Sequence, residues 1–434
     1  MATATEATVS SILKEVYPGM VEDELNNECA LWAIVDKTKV SVGGQGKRIV
    51  RPMRAQRNSG VGSRPDNGTL PQAGAQSYIN SNINIATTYL RGQISNRVMR
   101  TSATDTAAFA DVLEEEIKFG LSDYVTDLSR QLYYGTGKIT VTNGTVTSST
   151  SVVVTDVTNL AVGMIIEFWN GGTNQTTVDA GLTAGSAIAA INATTLTLTM
   201  TTAQTSITSG ATVARQGNNT SATATYEMNG LDFTVDDGTD FAGASYFGNA
   251  KASFPILFGN RVDISAASGT GSVPGDSTVH LSENKMQYGV DQARKIGGGY
   301  IDVFITGYDT RRTYSNILLG NKRYPVEGIT APQFSGGFQR SQDLRTNLAE
   351  GLSFDGAPVV ASRQAPLAKM WGLDTSSWKI FQQSDIEWVL NGDSVLHPLM
   401  AASNQDAYQY AMLYDAQFYS EAPNRNIKYV NCLN

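Results

Sequence analysis

Seven arginines crowd one part of the chain: Arg51, Arg54, Arg57, Arg64, Arg91, Arg97 and Arg100. Guanidinium groups at this density can grip phosphates or carboxylates, because each presents a planar fork of donors. From Lys47 to Arg100 there are nine basic residues and one acid, Asp66, a local charge of +8 (nine minus one) in a chain whose net charge is −8. The phosphate reading is the weaker one. No aromatic side chain lies between Arg51 and Arg64 to stack on a base, and the acidic balance argues against a dedicated nucleic-acid binder. "GGQGKR" at 43–48 fails as a phosphate loop, since that motif needs Gly where Ser41 stands and Ser or Thr where Arg48 stands.

Other reactive side chains are sparse. His280 and His397 are the only histidines, and neither sits in the tight His/Cys spacing of a zinc site or beside an evident nucleophile. Asp236/Asp237 and Asp385/Glu387 are carboxylate pairs of an ordinary kind. "DNG" at 66–68 and "VDDGTD" at 235–240 read as turns, because the twelve-residue calcium loop with its closing Glu is missing. The expectation is a protein that is not an enzyme, with no catalytic, cofactor-binding or metal-binding residues and no cofactor.

A carboxylate partner for the arginines lies a little further on. "TDTAAFADVLEEEIKFGLSDYVTDLSRQLYYGTG" places Phe109, Leu113, Ile117, Leu121, Tyr124, Leu128 and Leu132 on one stripe at steps of three and four, which predicts a helix over 104–133 about 45 Å long. Its polar face holds Asp105, Asp111, Glu114, Glu115, Glu116, Asp123 and Asp127 against Lys118 and Arg130, a charge of −5 (seven against two). A basic segment and an acidic helix face in one chain suit contact between copies, in which one copy's arginines lie over the next copy's helix; heterologous contacts of that kind build rings and shells.

The rest of the chain supplies the frame. At 434 residues it calls for two to four domains. Hydrophobic residues at 41% suit a globular protein, while only 17% charged residues fit extensive interface or β-structure. Cys29 and Cys432 make no disulfide framework. The first twenty residues lack a signal-peptide pattern and no run is long and apolar enough to span a membrane, so a soluble, cytoplasmically made protein is expected. "VEDELNNECALWAIVDKTK" at 21–39 shows helical spacing. "KRIVRPMRA" and "SYINSNINIATTYLRGQIS" alternate as strands on either side of the Gly/Pro-rich "RNSGVGSRPDNGTLPQAG", an extended hairpin. The 76 positions from 139 to 214 hold three charges, Asp156, Glu167 and Asp179, among five or six short strands, a small barrel or sandwich inserted into another domain. Mixed α/β sequence follows, closing on the alternating, tyrosine-rich "DAYQYAMLYDAQFYS".

In this order the parts resemble the major capsid proteins of tailed bacteriophages, with the Hong Kong 97 capsid fold. The resemblance is carried by "RNSGVGSRPDNGTLPQAG", "VLEEEIKFGLSDYVTDLSRQLYYGTG", "GLSFDGAPVVASRQAP" and "MWGLDTSSWKIF", with "GMIIEFWNG … TTLTLTM … GATVAR" similar to a β-barrel insertion some members carry. It implies an α+β chain with an N-arm at 1–40, an extended loop at 41–100, a peripheral-domain spine helix at 101–137 and a β-rich insertion domain at 138–217. A mainly axial domain at 218–395, beginning with a peripheral-domain strand, and a return to the peripheral domain at 396–434 complete it. It implies shell formation as hexamers and pentamers around double-stranded DNA held by non-specific contact, with portal, scaffold or decoration proteins as further partners and the virion capsid, assembled in the bacterial cytoplasm, as location. Between copies, Arg51, Arg54, Arg57, Arg64, Arg91 and Arg97 would meet Asp111, Glu114, Glu115, Glu116, Asp123 and Asp127. Some members cross-link a loop lysine to a neighbour's asparagine; between Met53 and Leu90 there is no lysine, so no such bond is expected. With about 40 residues before the hairpin, any scaffold is expected to be a separate protein, or that function to be absent. A secreted or surface β-rich structural protein, such as a tail or surface-layer component, is the alternative; an enzyme such as a carbohydrate hydrolase ranks third.

Overall fold

The computed structural model describes residues 29–40, 48–56, 58–96, 106–182, 184–222, 224–241, 245–268, 271–319, 352–390, 397–398 and 406–433, with the backbone alone at 106–115, 252, 319 and 397–398. Three sheets and one long helix organise them. The first sheet is built on a single strand, β22 (Ala407–Ser420), the last long alternating segment of the chain. One edge of β22 takes β4 (Ala86–Ser95), pairing Ala407 with Ser95 through to Ala416 with Ala86. Its other edge is tiled by three strands in turn: β19 (Trp378–Gln382), β20 (Glu387–Trp388) and β21 (His397–Pro398). β1 (Asp36–Lys39) then adds in parallel to β19.

Residues 36–39 were expected to continue a helix from 21, yet only α1 (Ala30–Ile34) is helical among the described residues of that span. The parallel ladder to β19 supplies backbone partners that another helical turn would have had to give up, and tertiary pairing overrides local propensity here. Nor does this segment stand apart: Cys29, Leu31, Trp32 and Val35 are buried in the main core.

That core lies between the first sheet and α2 (Thr106–Tyr134), one residue longer at its far end than the spacing predicts. Ile117, Leu121, Tyr124, Leu128 and Leu132 of the expected stripe are all buried, in one core with Tyr410, Met412, Tyr414 and Phe418 of β22. One glycine makes room here: a Cβ on Gly92 of β4 would stand 2.1 Å from the Tyr410 ring.

Between α2 and the next helix lies the inserted unit. β5 (Lys138–Val141), β6 (Val146–Val153), β7 (Ile165–Asn170), β8 (Thr173–Asn174), β9 (Ser186–Asn192), β10 (Thr197–Ile207) and β11 (Thr212–Arg215) run in the order β5-β11-β7-β9-β10-β6, with β8 beside β7. An antiparallel bridge from Thr142 to Val154 joins the two ends, so the ring closes as a barrel. Its core of Ile139, Val152, Ile166, Phe168, Leu198, Met200 and Val213 is its own, and threonines take the outward positions of β10 as period-two alternation dictates.

The remaining sheet, β14-β23-β18-β15-β17-β16, uses β14 (Asn260–Asp263), β15 (Val303–Thr306), β16 (Ser353–Phe354), β17 (Ala357–Ala361), β18 (Met370–Leu373) and β23 (Ile427–Val430). α3 (Leu231–Thr234) leads into it, and β12 (Ser245–Tyr246) pairs with β13 (Asn249–Ala250) nearby. α4 (Glu283–Gln292), capped by Ser282 and continued by a π-helical turn over Ala293–Gly297 that left-handed Gly298 stops, covers the sheet with α5 (Tyr308–Leu319) through Met286, Val290 and Tyr314. After β18 the chain alternates between sheets: β19 to β22 join the first and β23 the last. Among the described strands the hairpin of β2 (Ile49–Gln56) and β3 (Ser77–Ile83) forms a ladder of its own, and it rests Met53 and Ile83 on Phe381 and Tyr419.

Candidate assembly surfaces

Charge in this molecule falls into two kinds of place. The first is buried. Lys428 is fully enclosed, and its Nζ lies 3.1, 3.0 and 2.6 Å from carboxylate oxygens of Asp232, Asp236 and Asp240. Lys369 reaches both oxygens of Asp232 at 2.7 Å. Burial would raise the Asp232 carboxyl, but Lys369 and Lys428 outweigh it and hold it well below the ordinary carboxylate range. The same three acids drive Lys428 upward against its own desolvation. The "VDDGTD" turn is therefore occupied by an ammonium group of the chain itself. At nearby Lys251 burial outweighs the pull of Asp236 and Asp232 and brings it down to about 7; it donates to the carbonyls of Phe233 and Thr234.

A second buried network joins α2 to the barrel. Arg130 bonds Asp127 at 3.1 Å and Glu227 at 2.7 Å, and Arg215 at the end of β11 reaches Asp127 at 3.0 Å. Asp127 is held well below its ordinary range, burial being outweighed by these two arginines. Asp127 thus clamps the barrel's foot to its own helix. Arg51 is also engaged within its chain, 3.4 Å from Glu421 and over the Phe381 ring.

The second kind of place is solvent. Arg54, Arg64 and Arg91 are exposed, as are Glu116 and Asp123 on α2. Arg57 and Arg97 lie outside the described residues, and for Asp111, Glu114 and Glu115 only the helical backbone is described. The structure therefore brings none of the arginines in the hairpin to an acid of α2 within one chain among the described side chains.

Residues 58–76, the tip of the hairpin, make local bonds: Arg64 Nε donates to Thr69 O at 2.9 Å, Gly68 N to Pro65 O at 3.0 Å and Gly60 N to Asn58 Oδ1 at 2.7 Å. Its limbs pinch at Gly60 and Gly74, where a Cβ on Gly74 would meet Gly60 N at 2.6 Å. Val61 and Leu70 stand 88% and 82% exposed, apolar side chains left uncovered among the described residues. The other titratable candidates are structural in setting. Asp385 takes Lys39 at 2.6 Å, Glu387 sits on β20 opposite Leu413, and His397 pairs with Gln409 across β21 and β22. Among the described residues no group of three His, Cys, Asp or Glu side chains could hold a metal ion, and no helix is long and apolar enough to cross a membrane.

Compared with solved structures, the chain matches a chain of the Cyanophage A-1(L) capsid asymmetric unit over 92% of both lengths, with 13% identity and a TM-score of 0.52. It is less similar to a chain from the capsid of a native GTA particle, at 9% identity, TM-score 0.44, over 92% of this chain and 89% of that one. A chain of Mycobacterium phage Bobi gives 10% identity and TM-score 0.44 over 99% of each. No protein-family model and no curated protein matches the sequence. In fold the chain is thus similar to a phage capsid chain, the class its sequence resembles, and its mixed α and β architecture fits a capsid fold.

Proposed function

We propose that this chain is the major capsid protein of a tailed phage and assembles as hexamers and pentamers into an icosahedral shell enclosing double-stranded DNA. The observation that carries it is the fold likeness to a cyanophage capsid chain over 92% of both chains. In this reading 1–40 is the N-arm, 41–100 the extended loop, 101–137 the spine-helix region of the peripheral domain, and 138–217 an insertion domain. Residues 218–395 are mainly axial, and 396–434 return to the peripheral domain. Portal, scaffold and decoration proteins and non-specifically held DNA are its partners, and the virion capsid, assembled in the host cytoplasm, its location. A structural role fits the scarcity of reactive side chains noted above.

The exposed charges supply the contact between copies. Arg54, Arg57, Arg64, Arg91 and Arg97 of one copy meet Asp111, Glu114, Glu115, Glu116 and Asp123 of the next. Arg51 and Asp127 contribute less, being paired at home. Salt should weaken such contacts, since the Debye length is about 8 Å at physiological ionic strength. Electron microscopy of the purified protein tests the reading: closed shells are expected, fibres or flat lattices would favour a tail or surface-layer component, and small discrete particles would reject it.

A further inference from the structure

A cleft of about 270 Å³ opens where three elements meet: β4, α2 and the segment that leaves the barrel after Arg215. Tyr89 and Tyr226, each 66% exposed, belong to its lining, as does the exposed Asp123. Deeper lie Asp127, Arg215 and Glu227. Glu227 is 93% buried (7% exposed) and gives Oε1 to Arg130, while no donor among the described residues reaches its Oε2. Three carboxylates, Asp123, Asp127 and Glu227, meet two guanidinium groups, Arg130 and Arg215, so the site is short of one positive charge. A buried carboxylate oxygen without a donor is costly to leave so, and two exposed tyrosine rings suit the flat face of a guanidinium.

We propose that this cleft receives the Arg64 side chain from the loop of a second copy. The inference rests on the shell reading above and gives it an address. Arg64 is exposed and, among the described residues, donates Nε and Nη1 to carbonyls of its own loop, which leaves Nη2 for an acceptor from outside it. It sits between Val61 and Leu70, which need cover as well. Nine or ten residues on each limb of the tip can reach roughly 30 Å beyond the hairpin, far enough to cross onto a neighbour.

Two cysteine substitutions, Arg64→Cys and Asp123→Cys in one chain, test the address under oxidising conditions. The native Cys29 and Cys432 are buried and stay out of the reaction. A ladder of linked chains on a denaturing gel, from particles that micrographs show as closed shells, is the expected result. Charge exchange gives the second readout. Arg64→Glu and Asp123→Arg should each lower shell yield about tenfold, and the double exchange should recover most of it, with circular dichroism unchanged throughout. Shells of the cysteine protein without a ladder, together with exchange mutants that assemble at wild-type yield, overturn the cleft as the receiver and leave the shell reading standing. A wild-type protein that forms no shells in the same micrographs overturns both.

Discussion

The barrel and the hairpin tip are insertions into the same frame, yet they answer the problem of stability in opposite ways. Residues 138–215 close their ring of strands and fill it with Phe168, Leu198 and Met200. Residues 58–76 form no strand, bury no apolar cluster and hold Val61 and Leu70 out in water. The barrel is complete within one chain; the tip is complete only when something covers it. Mean composition would not separate them, since both are rich in small polar residues. Closure of the backbone ladder separates them.

The largest effects should come from attacking what is complete. Lys428→Met removes the buried cation facing Asp232, Asp236 and Asp240, and stranding buried charge should cost about 3–5 kcal/mol. Chemical denaturation should show the frame losing stability while the barrel's own signal stays. Phe168→Ala inverts the experiment: about 3–5 kcal/mol is lost from a fully enclosed ring, and hydrogen exchange should rise in 138–215 alone. If either mutation melts both regions equally, the barrel is not the separate unit its closed core implies.

Acid should divide the regions next. Asp232 and Asp127 have folded carboxyl values below their ordinary 3.8. Their stabilisation is therefore full above that pH and is lost as the pH falls below it, because the unfolded chain takes up protons first. The barrel has only three carboxylates of its own, Asp156, Glu167 and Asp179, so the frame should loosen before it on acidification. Lys251 acts at the other end. With its folded value brought down to about 7 from 10.5, the unfolded chain holds the extra proton between those limits, and frame stability should rise as pH climbs from 7 toward 10.5.

The smallest effect on folding should come from replacing 58–76 with a short Gly-Ser turn. Away from any core this should change unfolding free energy by no more than about 0.5 kcal/mol, although assembly should fail. A large drop in monomer stability would mean that the tip is anchored to its own body.

Much of this contrast was legible in the residues. The stripe from Ile117 to Leu132 announced the helix because one buried face imposes its own period, and the alternation in 407–420 announced a strand for the same reason. The alternation from 77 to 95 predicts one strand where there are two, since β3 pairs with β2 and β4 crosses to β22; alternation carries no record of which neighbour it serves. The exposure of Arg54, Arg64 and Asp123 followed from the high cost of burying charge. That Asp127 serves the barrel was invisible, because its partner Arg215 stands 88 positions away. The Lys428 cluster was hidden likewise: its acids lie near 232–240, and only the final strand brings the ammonium to them. Glu227 gave no local signal at all.

β22 has a consequence in time. Nearly the whole first sheet hangs on a strand that leaves the ribosome after residue 406, while its direct partner β4, and β1 at the far edge beyond β19, lie before residue 96. The barrel needs nothing beyond residue 215 for its ladder. At bacterial and eukaryotic elongation rates of about 5–20 residues per second, the barrel has roughly 10–40 s to fold while the sheet still waits for its central strand. During translation the chain therefore carries a finished domain in its middle and open strands on its older end, and the last strands to emerge are the ones that gather the first.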